Sequence, residues 1–207
     1  MTDDKRKLTE KELKRKNDFE KLSSEMQQKG YKMKNVVINT QKAKYLAPLV
    51  MFPFMALVFW MYYHVNGFDL DCLSWAFLVA LIVLISCLII LHELIHGITW
   101  AIFAKNHFHA IGFGIIWNSF SPYCTCSNPL KKWQYLLGVA MPTLVLGSGG
   151  AVAAVMTNQL LLFLAAEYMI LSGGGDFQLI LRSILTDKRE SVYCDHPYEC
   201  GFVVFEK

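Results

Sequence analysis

The chain has 207 residues, of which 54% are hydrophobic and 18% are charged, and its mean hydropathy is +0.33. This composition excludes an ordinary soluble domain, and because the apolar residues form long blocks it predicts membrane-spanning segments in a lipid bilayer. The net charge of +3 comes from basic residues crowded into the N-terminal segment, which bears on orientation in a membrane, so no nucleic-acid partner is expected.

Residues 1–44 form a polar segment ahead of the first apolar block. Five apolar residues of this segment are spaced roughly as one helix face: Leu8, Leu13, Phe19, Leu22 and Met26. We predict an amphipathic cytoplasmic helix that ends near Gly30, followed by a short strand at residues 36–38. The alternative is a solvated tail. Since the first apolar block begins near Tyr45, behind a long charged stretch, no cleaved signal peptide is expected.

Four apolar blocks follow, and each can cross a hydrocarbon core, which needs about 20 helical residues. The blocks are residues 45–65, 73–104, 135–157 and 160–181. Lysine and arginine precede the first block, lie between the second and third, and follow the fourth. The positive-inside rule therefore predicts cytoplasmic termini. We expect an all-α membrane protein with four transmembrane helices over residues 45–185 and a cytoplasmic tail over residues 186–207.

The segment between the second and third blocks, residues 107–128, differs from the spans. Its first part, from His107 to Trp117, is aromatic, β-branched and punctuated by glycine. This pattern favours a small cytoplasmic or interfacial β-hairpin associated with the membrane. An interfacial loop anchored by Phe108, Phe113 and Trp117 is the alternative.

The second block contains His92-Glu-Leu-Ile-His96, an H-E-x-x-H pattern. Residues four apart share a helix face, so both imidazoles can bind one metal ion while Glu93 reaches a water on that ion. Inside a membrane span these polar residues cost on the order of several kcal/mol unless something pairs with them. A zinc ion would supply that partner. Hydrogen bonds within the bundle, without a metal, are the alternative.

Catalytic zinc sites usually take three protein ligands, so a third ligand is expected. The acidic residues in the last two blocks are Glu167 and Asp176, which lie on opposite faces of a helix because they are nine positions apart. Counted from outside, His92 lies about 28 Å along its helix, Asp176 about 24 Å and Glu167 about 10 Å. Depth favours Asp176, and we interpret Glu167 as a structural polar residue. The alternative for Asp176 is a carboxylate at the span end that reaches water or Arg182.

The order of these features resembles the three-helix core of site-2-type, M50-like intramembrane metalloproteases. It is more closely similar to small bacterial proteins of the DUF3267 family, which are regarded as zincin peptidases. Further similarities are Gly30-Tyr31, Gly175-Asp176 and the tail around Asp195-His-Pro197. The resemblance implies a bacterial cell membrane as the location, zinc as the cofactor and a peptidase activity.

Residue by residue, the resemblance implies that His92, His96 and Asp176 bind zinc and that Glu93 is the general base. Two departures stand out. Phe177 follows Asp176 where site-2 proteases commonly have glycine, and the middle span has Val145 three residues after its proline where they often have asparagine. The sequence therefore assigns no oxyanion-stabilising residue.

A second group of potential ligands comprises Cys124, Cys126, Cys194, His196 and Cys200. Neither segment has the C-x-x-C spacing of a zinc knuckle, so we interpret the cysteines as reduced thiols. A structural metal or a redox switch is the alternative.

The predicted function is zinc-dependent hydrolysis of peptide bonds in membrane protein segments near the cytoplasmic side. Because a helix hides its peptide bonds, the membrane protein or peptide substrate is expected to bind as an extended strand beside Ile111, Phe113 and Trp117. A non-proteolytic zinc-binding protein, either a metal carrier or a protease-derived scaffold, is the main alternative. An M48-like zincin is disfavoured, because Leu171 stands four residues after Glu167. The oligomeric state stays open.

Overall fold

The computed structural model describes residues 10–116, 121–185 and 191–207. Its helices are α1 (Glu10–Gln28), α2 (Thr40–Asn66), α3 (Trp75–Phe103), α4 (Lys132–Pro142), α5 (Gly150–Thr157), α6 (Leu160–Ser172) and α7 (Gly174–Ile184). Its strands are β1 (Lys32–Val37), β2 (Ile111–Ile116), β3 (Ser121–Cys126), β4 (Leu130–Lys131), β5 (Ser191–Asp195) and β6 (Gly201–Glu206). A 3-10 turn, His107–Ala110, precedes β2, and a π-helical segment, Thr143–Gly149, joins α4 to α5.

Four helical stretches are long and apolar enough to cross a membrane. They are Lys42–Asn66, Trp75–Phe103, Lys132–Thr157 and Leu160–Ile184. The four predicted spans and the all-α membrane fold class are thereby confirmed. The third stretch contains α4, the π-helical segment and α5, and the fourth contains α6 and α7.

The third span is irregular where it passes the fourth. Pro142 lacks the N–H that an α-helix needs at that point, and the wider π-helical turn follows it directly. Gly147 then lies against Ile170, where an added Cβ would approach the Ile170 Cγ1 to 2.9 Å. Small residues at this crossing let the backbones of the two spans come close.

One end of the bundle carries the connections between α2 and α3 and between α5 and α6. Tyr62 donates a hydrogen bond to the Asn158 Oδ1 over 3.4 Å, and Asn66 donates to the Val155 carbonyl over 3.1 Å. Phe68 packs on the Tyr62 ring at a centroid distance of 5.6 Å. Neither connection contains lysine or arginine, and the described lysines and arginines lie toward the other end.

The other end carries two small antiparallel sheets. In the first, β2 and β3 pair directly, with Phe113 opposite Cys124. The predicted hairpin is therefore confirmed, and the loop alternative is not what forms. Helix α1 lies over one face of the hairpin, because Arg15 donates hydrogen bonds to the Tyr123 hydroxyl over 2.8 Å and to the Thr125 hydroxyl over 3.2 Å.

The second sheet has four strands in the order β1, β6, β5, β4. It joins the N-terminal segment to the C-terminal tail, for which the sequence predicted no secondary structure. Two of its buried aromatic residues, Tyr193 and Phe202, pack against Trp100 of α3 and Tyr135 of α4. Gly201, with φ +151°, lies so close to the Val36 carbonyl that a Cβ there would overlap it. The tail is thus an integral part of the packed structure.

Candidate metal centre

The two histidines of the H-E-x-x-H pattern lie on the buried face of α3. His92 is 7% exposed and His96 is 5% exposed. Their Nε2 atoms are 3.2 Å apart, as the four-residue helical spacing predicts. Both rings therefore present the same nitrogen to one point inside the bundle.

Asp176 reaches the same point from the opposite side of the bundle. The fourth span breaks at Gly173, and Asp176 lies in the first turn of α7, which begins at Gly174. Its Oδ2 is 3.2 Å from the His92 Nε2 and 3.5 Å from the His96 Nε2. Over the described ranges 10–116, 121–185 and 191–207, these three residues form the one group of three histidine, cysteine, aspartate or glutamate side chains that could hold a metal ion.

The shape of this triangle fits zinc. Ligands at about 2.0–2.1 Å from a tetrahedral zinc ion lie about 3.3 Å from one another, and the three separations here are 3.2, 3.2 and 3.5 Å. The His96 Nδ1–H donates to the Gly138 carbonyl over 2.8 Å, so in neutral His96 the lone pair lies on Nε2. Two imidazole nitrogens and one carboxylate oxygen are the donor set of known catalytic zinc sites.

Glu93 lies beside this group without belonging to it. It interacts electrostatically with His92, His96 and Asp176, and the Cys124 backbone N–H donates a hydrogen bond to its carboxylate. The carboxylate is thus held next to the three ligand atoms by the hairpin strand β3. That position suits a proton acceptor better than a fourth ligand.

Glu167 is not brought to the histidines. It lies on α6, and both of its carboxylate oxygens are buried without a hydrogen-bond partner among the described residues. Of the two acidic residues of the fourth span, Asp176 is the one that lies next to the histidines. What Glu167 does there is not explained by its contacts.

Two of the three predicted substrate residues, Ile111 and Phe113, lie on the hairpin. Ile111 and Phe113 point from β2 toward α3, where a Cβ added to Gly97 would approach the Phe113 Cζ to 2.6 Å and the Ile111 Cγ2 to 3.0 Å. Phe113 remains 46% exposed. Trp117 lies outside the described residues. The hairpin therefore runs directly over the helical turn that carries Glu93.

The cysteine cluster does not form a metal site within the described part of the chain. All six cysteines are free thiols, and Cys126 and Cys194 are buried. Cys124, Cys126, Cys194, His196 and Cys200 do not bring three ligand atoms together. Burial raises the pKa of Cys126 to about 12 and raises the pKa of Cys194, so these thiols are expected to be inert at neutral pH.

The sequence analysis missed a stack of aromatic rings behind His96. Trp100 stacks on the His96 ring at a centroid distance of 5.2 Å, and Tyr135 stacks on Trp100 at 5.7 Å. Trp100 follows His96 by four residues, so the helical spacing could have revealed it. Nothing in the sequence pattern indicated Tyr135, and Asp195 stood out there only as a point of family similarity; their side chains are hydrogen-bonded over 2.8 Å.

Comparison with known proteins agrees with this geometry. No curated protein and no solved structure matches the chain significantly. The profile of the DUF3267 family, described as "Putative zincin peptidase", matches residues 85–192, which is more than half of the chain and includes the part of α3 that carries His92 and His96, the hairpin and Asp176. The chain therefore belongs to the DUF3267 family.

Proposed function

We propose that this protein is a zinc-dependent intramembrane metalloprotease that cleaves membrane protein segments near the cytoplasmic side of a bacterial cell membrane. The observation that carries the proposal is the triangle of His92, His96 and Asp176 inside two apolar helices, with Glu93 beside it. Buried polar groups of this kind are costly in a bilayer unless a cation pairs with them.

Each residue has a distinct role in the proposed reaction. His92, His96 and Asp176 would hold the zinc ion, which when bound polarises the scissile carbonyl and acidifies water. Glu93 takes the proton from the attacking water and passes it to the leaving amine as the peptide bond breaks. The His96 Nδ1–H bond to the Gly138 carbonyl keeps that ring oriented.

The substrate would bind as a strand added to β2. The outer edge of β3 is occupied, because the Cys124 N–H donates to Glu93 and the Cys126 N–H donates to Asp195 over 2.7 Å. Within the described residues, β2 has no strand on its other side. A substrate segment paired there is extended, which exposes its peptide bonds to attack.

The distribution of charge supports a proposal for the orientation of the molecule. Among the described residues, the lysines and arginines lie toward the end of the bundle that carries α1, the hairpin and the four-stranded sheet. By the positive-inside rule, we propose that this end, with both termini, faces the cytoplasm.

The test is the variant Glu93→Gln, which keeps size and most hydrogen bonding but removes the base. We expect it to bind zinc like the wild type and to lose about 10²- to 10⁴-fold in turnover. Membrane proteomes of cells that make either form should then show uncleaved substrates that accumulate only with the variant. Glu167→Gln is the matched control, since it removes the same charge from another span.

A metal carrier or scaffold would respond differently. It needs the three ligands but not Glu93, so Glu93→Gln would be silent in cells and would stabilise no membrane protein. That outcome would overturn the protease proposal and leave a zinc-binding membrane protein in its place.

A further inference from the structure

Asp195 lies at the end of β5, in the C-terminal tail, and its side chain is partly buried. It accepts two short hydrogen bonds, one from the Cys126 backbone N–H over 2.7 Å and one from the Tyr135 hydroxyl over 2.8 Å. The donors belong to β3 and α4, which are two different elements of the candidate metal centre. Charge-assisted bonds of this length are among the stronger ones in proteins.

The bond from Tyr135 connects Asp195 to His96. The Tyr135 carbonyl accepts a hydrogen bond from the Trp100 indole over 3.1 Å, and the Trp100 ring stacks on His96. One turn further along α4, the Gly138 carbonyl accepts the His96 Nδ1–H over 2.8 Å. The position of this turn of α4 therefore decides how His96 presents its Nε2.

The bond from Cys126 connects Asp195 to Glu93. In a strand, the N–H groups of residues two apart point to the same side. On the outer edge of β3 the Cys126 N–H meets Asp195 and the Cys124 N–H meets Glu93. Asp195 thus fixes the register of β3 against the helical turn that carries the general base.

We propose that Asp195 is a positioning residue of the metal centre, through which the C-terminal tail orients both His96 and Glu93. This inference rests on the proposed function for the role of Glu93, but its connection to His96 depends only on metal binding. It assigns the tail a role in organising the site within the membrane rather than that of a passive extension.

The first measurement is zinc affinity of the purified full chain in competition with a chelator. Asp195→Ala should weaken zinc binding about 10- to 100-fold, as the loss of outer hydrogen-bond partners of metal ligands does. Tyr135→Phe removes only the hydrogen bond through which Asp195 is connected to His96, and it should also weaken zinc binding. Asp195→Asn should restore most of the affinity, because its amide can still accept from Cys126 and can donate to the Tyr135 hydroxyl.

The control is Val203→Ala, which loosens the same sheet without touching these hydrogen bonds. Val203 is fully buried in β6 opposite Cys194, so the variant should lose thermal stability but keep wild-type zinc affinity. The second measurement is the visible spectrum of the cobalt-loaded protein at saturating cobalt, which reports ligand geometry. It should change in Asp195→Ala and stay unchanged in Val203→Ala.

Two results would overturn the inference. One is a wild-type zinc affinity together with a wild-type cobalt spectrum in Asp195→Ala. The other is an equal loss of zinc affinity in Asp195→Ala and Val203→Ala. Failure of the proposed function gives a different pattern. In that case Glu93→Gln is silent in cells, while Asp195→Ala still weakens zinc binding.

Discussion

The residues of the metal centre are placed by side-chain orientation as much as by position in the chain. His96 has its tautomer set by the Gly138 carbonyl, because a carbonyl only accepts hydrogen bonds. Asp176 and Glu167 both lie in one apolar span, yet only the Asp176 carboxylate reaches the two Nε2 atoms.

The first prediction concerns the third ligand. Asp176→Ala should strip zinc from the purified protein, because a site with two histidines alone lacks one of the usual three ligands. Glu167→Gln should leave zinc occupancy near the wild-type level. Elemental analysis of both variants decides the matter, and the reverse pattern would assign the ligand to Glu167.

The second concerns pH and Asp195. Burial raises the pKa of this carboxyl to about 6, from 3.8 for a free aspartate, while the bonds from Cys126 and Tyr135 and the charges of His96 and Arg15 act against that rise. Between those pH values the folded chain keeps a proton that the unfolded chain has released, so ionisation of Asp195 costs stability as pH rises.

The variant Asp195→Asn has no carboxyl group to ionise at this position. It should therefore avoid the loss of folding stability, which is on the order of 3 kcal/mol above pH 6. The melting temperature of Asp195→Asn minus that of the wild type should therefore increase between pH 4 and pH 7. The thiols of Cys126 and Cys194 also face Asp195, but their raised pKa keeps them neutral throughout this range. A difference that is flat with pH would contradict the prediction.

Among the elements, the hairpin and α3 form the contact on which substrate cleavage should depend. Strand β3 holds Glu93 through the Cys124 N–H, and side chains of both strands cover Gly97 one turn further along α3. The absence of a side chain at position 97 lets the hairpin approach the helix closely.

Gly97→Ala should therefore displace the side chains with which the hairpin covers α3. A Cβ at this position would be 2.6 Å from the Phe113 Cζ and 3.2 Å from the Cys124 Sγ, so restoring ordinary contacts requires the Phe113 ring to move by about 1 Å. A misplacement of that size can cost about 10²-fold in turnover. Zinc content should not change, since the three ligands are untouched.

Gly149→Ala is the matched control for this prediction. Its Cβ would meet only the Leu144 carbonyl, at an ordinary 3.6 Å. Turnover of the substrates found with Glu93→Gln should stay near wild type in Gly149→Ala and fall in Gly97→Ala. Equal activity of the two variants would show that the hairpin does not position the substrate.

At the scale of the whole molecule, charge and structure divide the chain into two ends. The end with the Tyr62–Asn158 contact carries no lysine or arginine in its connections, and the described lysines and arginines lie toward the end with the two sheets. Cys72 is exposed at the first end, and Cys200 is exposed at the second. These two thiols provide a direct test of orientation.

We predict that a variant with Cys72 as its single cysteine reacts with a membrane-impermeant maleimide in intact cells. A variant with Cys200 as its single cysteine should react only after the cells are permeabilised. Labelling of Cys200 from outside would place the sheets on the wrong side and overturn the proposed orientation.

The sequence alone determined the four spans and the H-E-x-x-H group and favoured the hairpin, because each depends on local properties. A run of about 20 apolar residues is sufficient to define a span, and helical spacing is sufficient to bring His92 to His96. Helical periodicity also separated Glu167 from Asp176, and depth along the spans then favoured the residue that the structure brings to the histidines.

Only the tertiary structure decided what the tail does. Strand β6 pairs with β1, so Phe202 lies opposite Val36 although most of the chain separates them, and Asp195 reaches Cys126 and Tyr135 from a distant segment. Short strands have weak local patterns, and pairing between remote segments depends on side-chain packing and burial that no local spacing encodes. The carboxylate that connects the tail to His96 and Glu93 could therefore be recognised only in the folded chain.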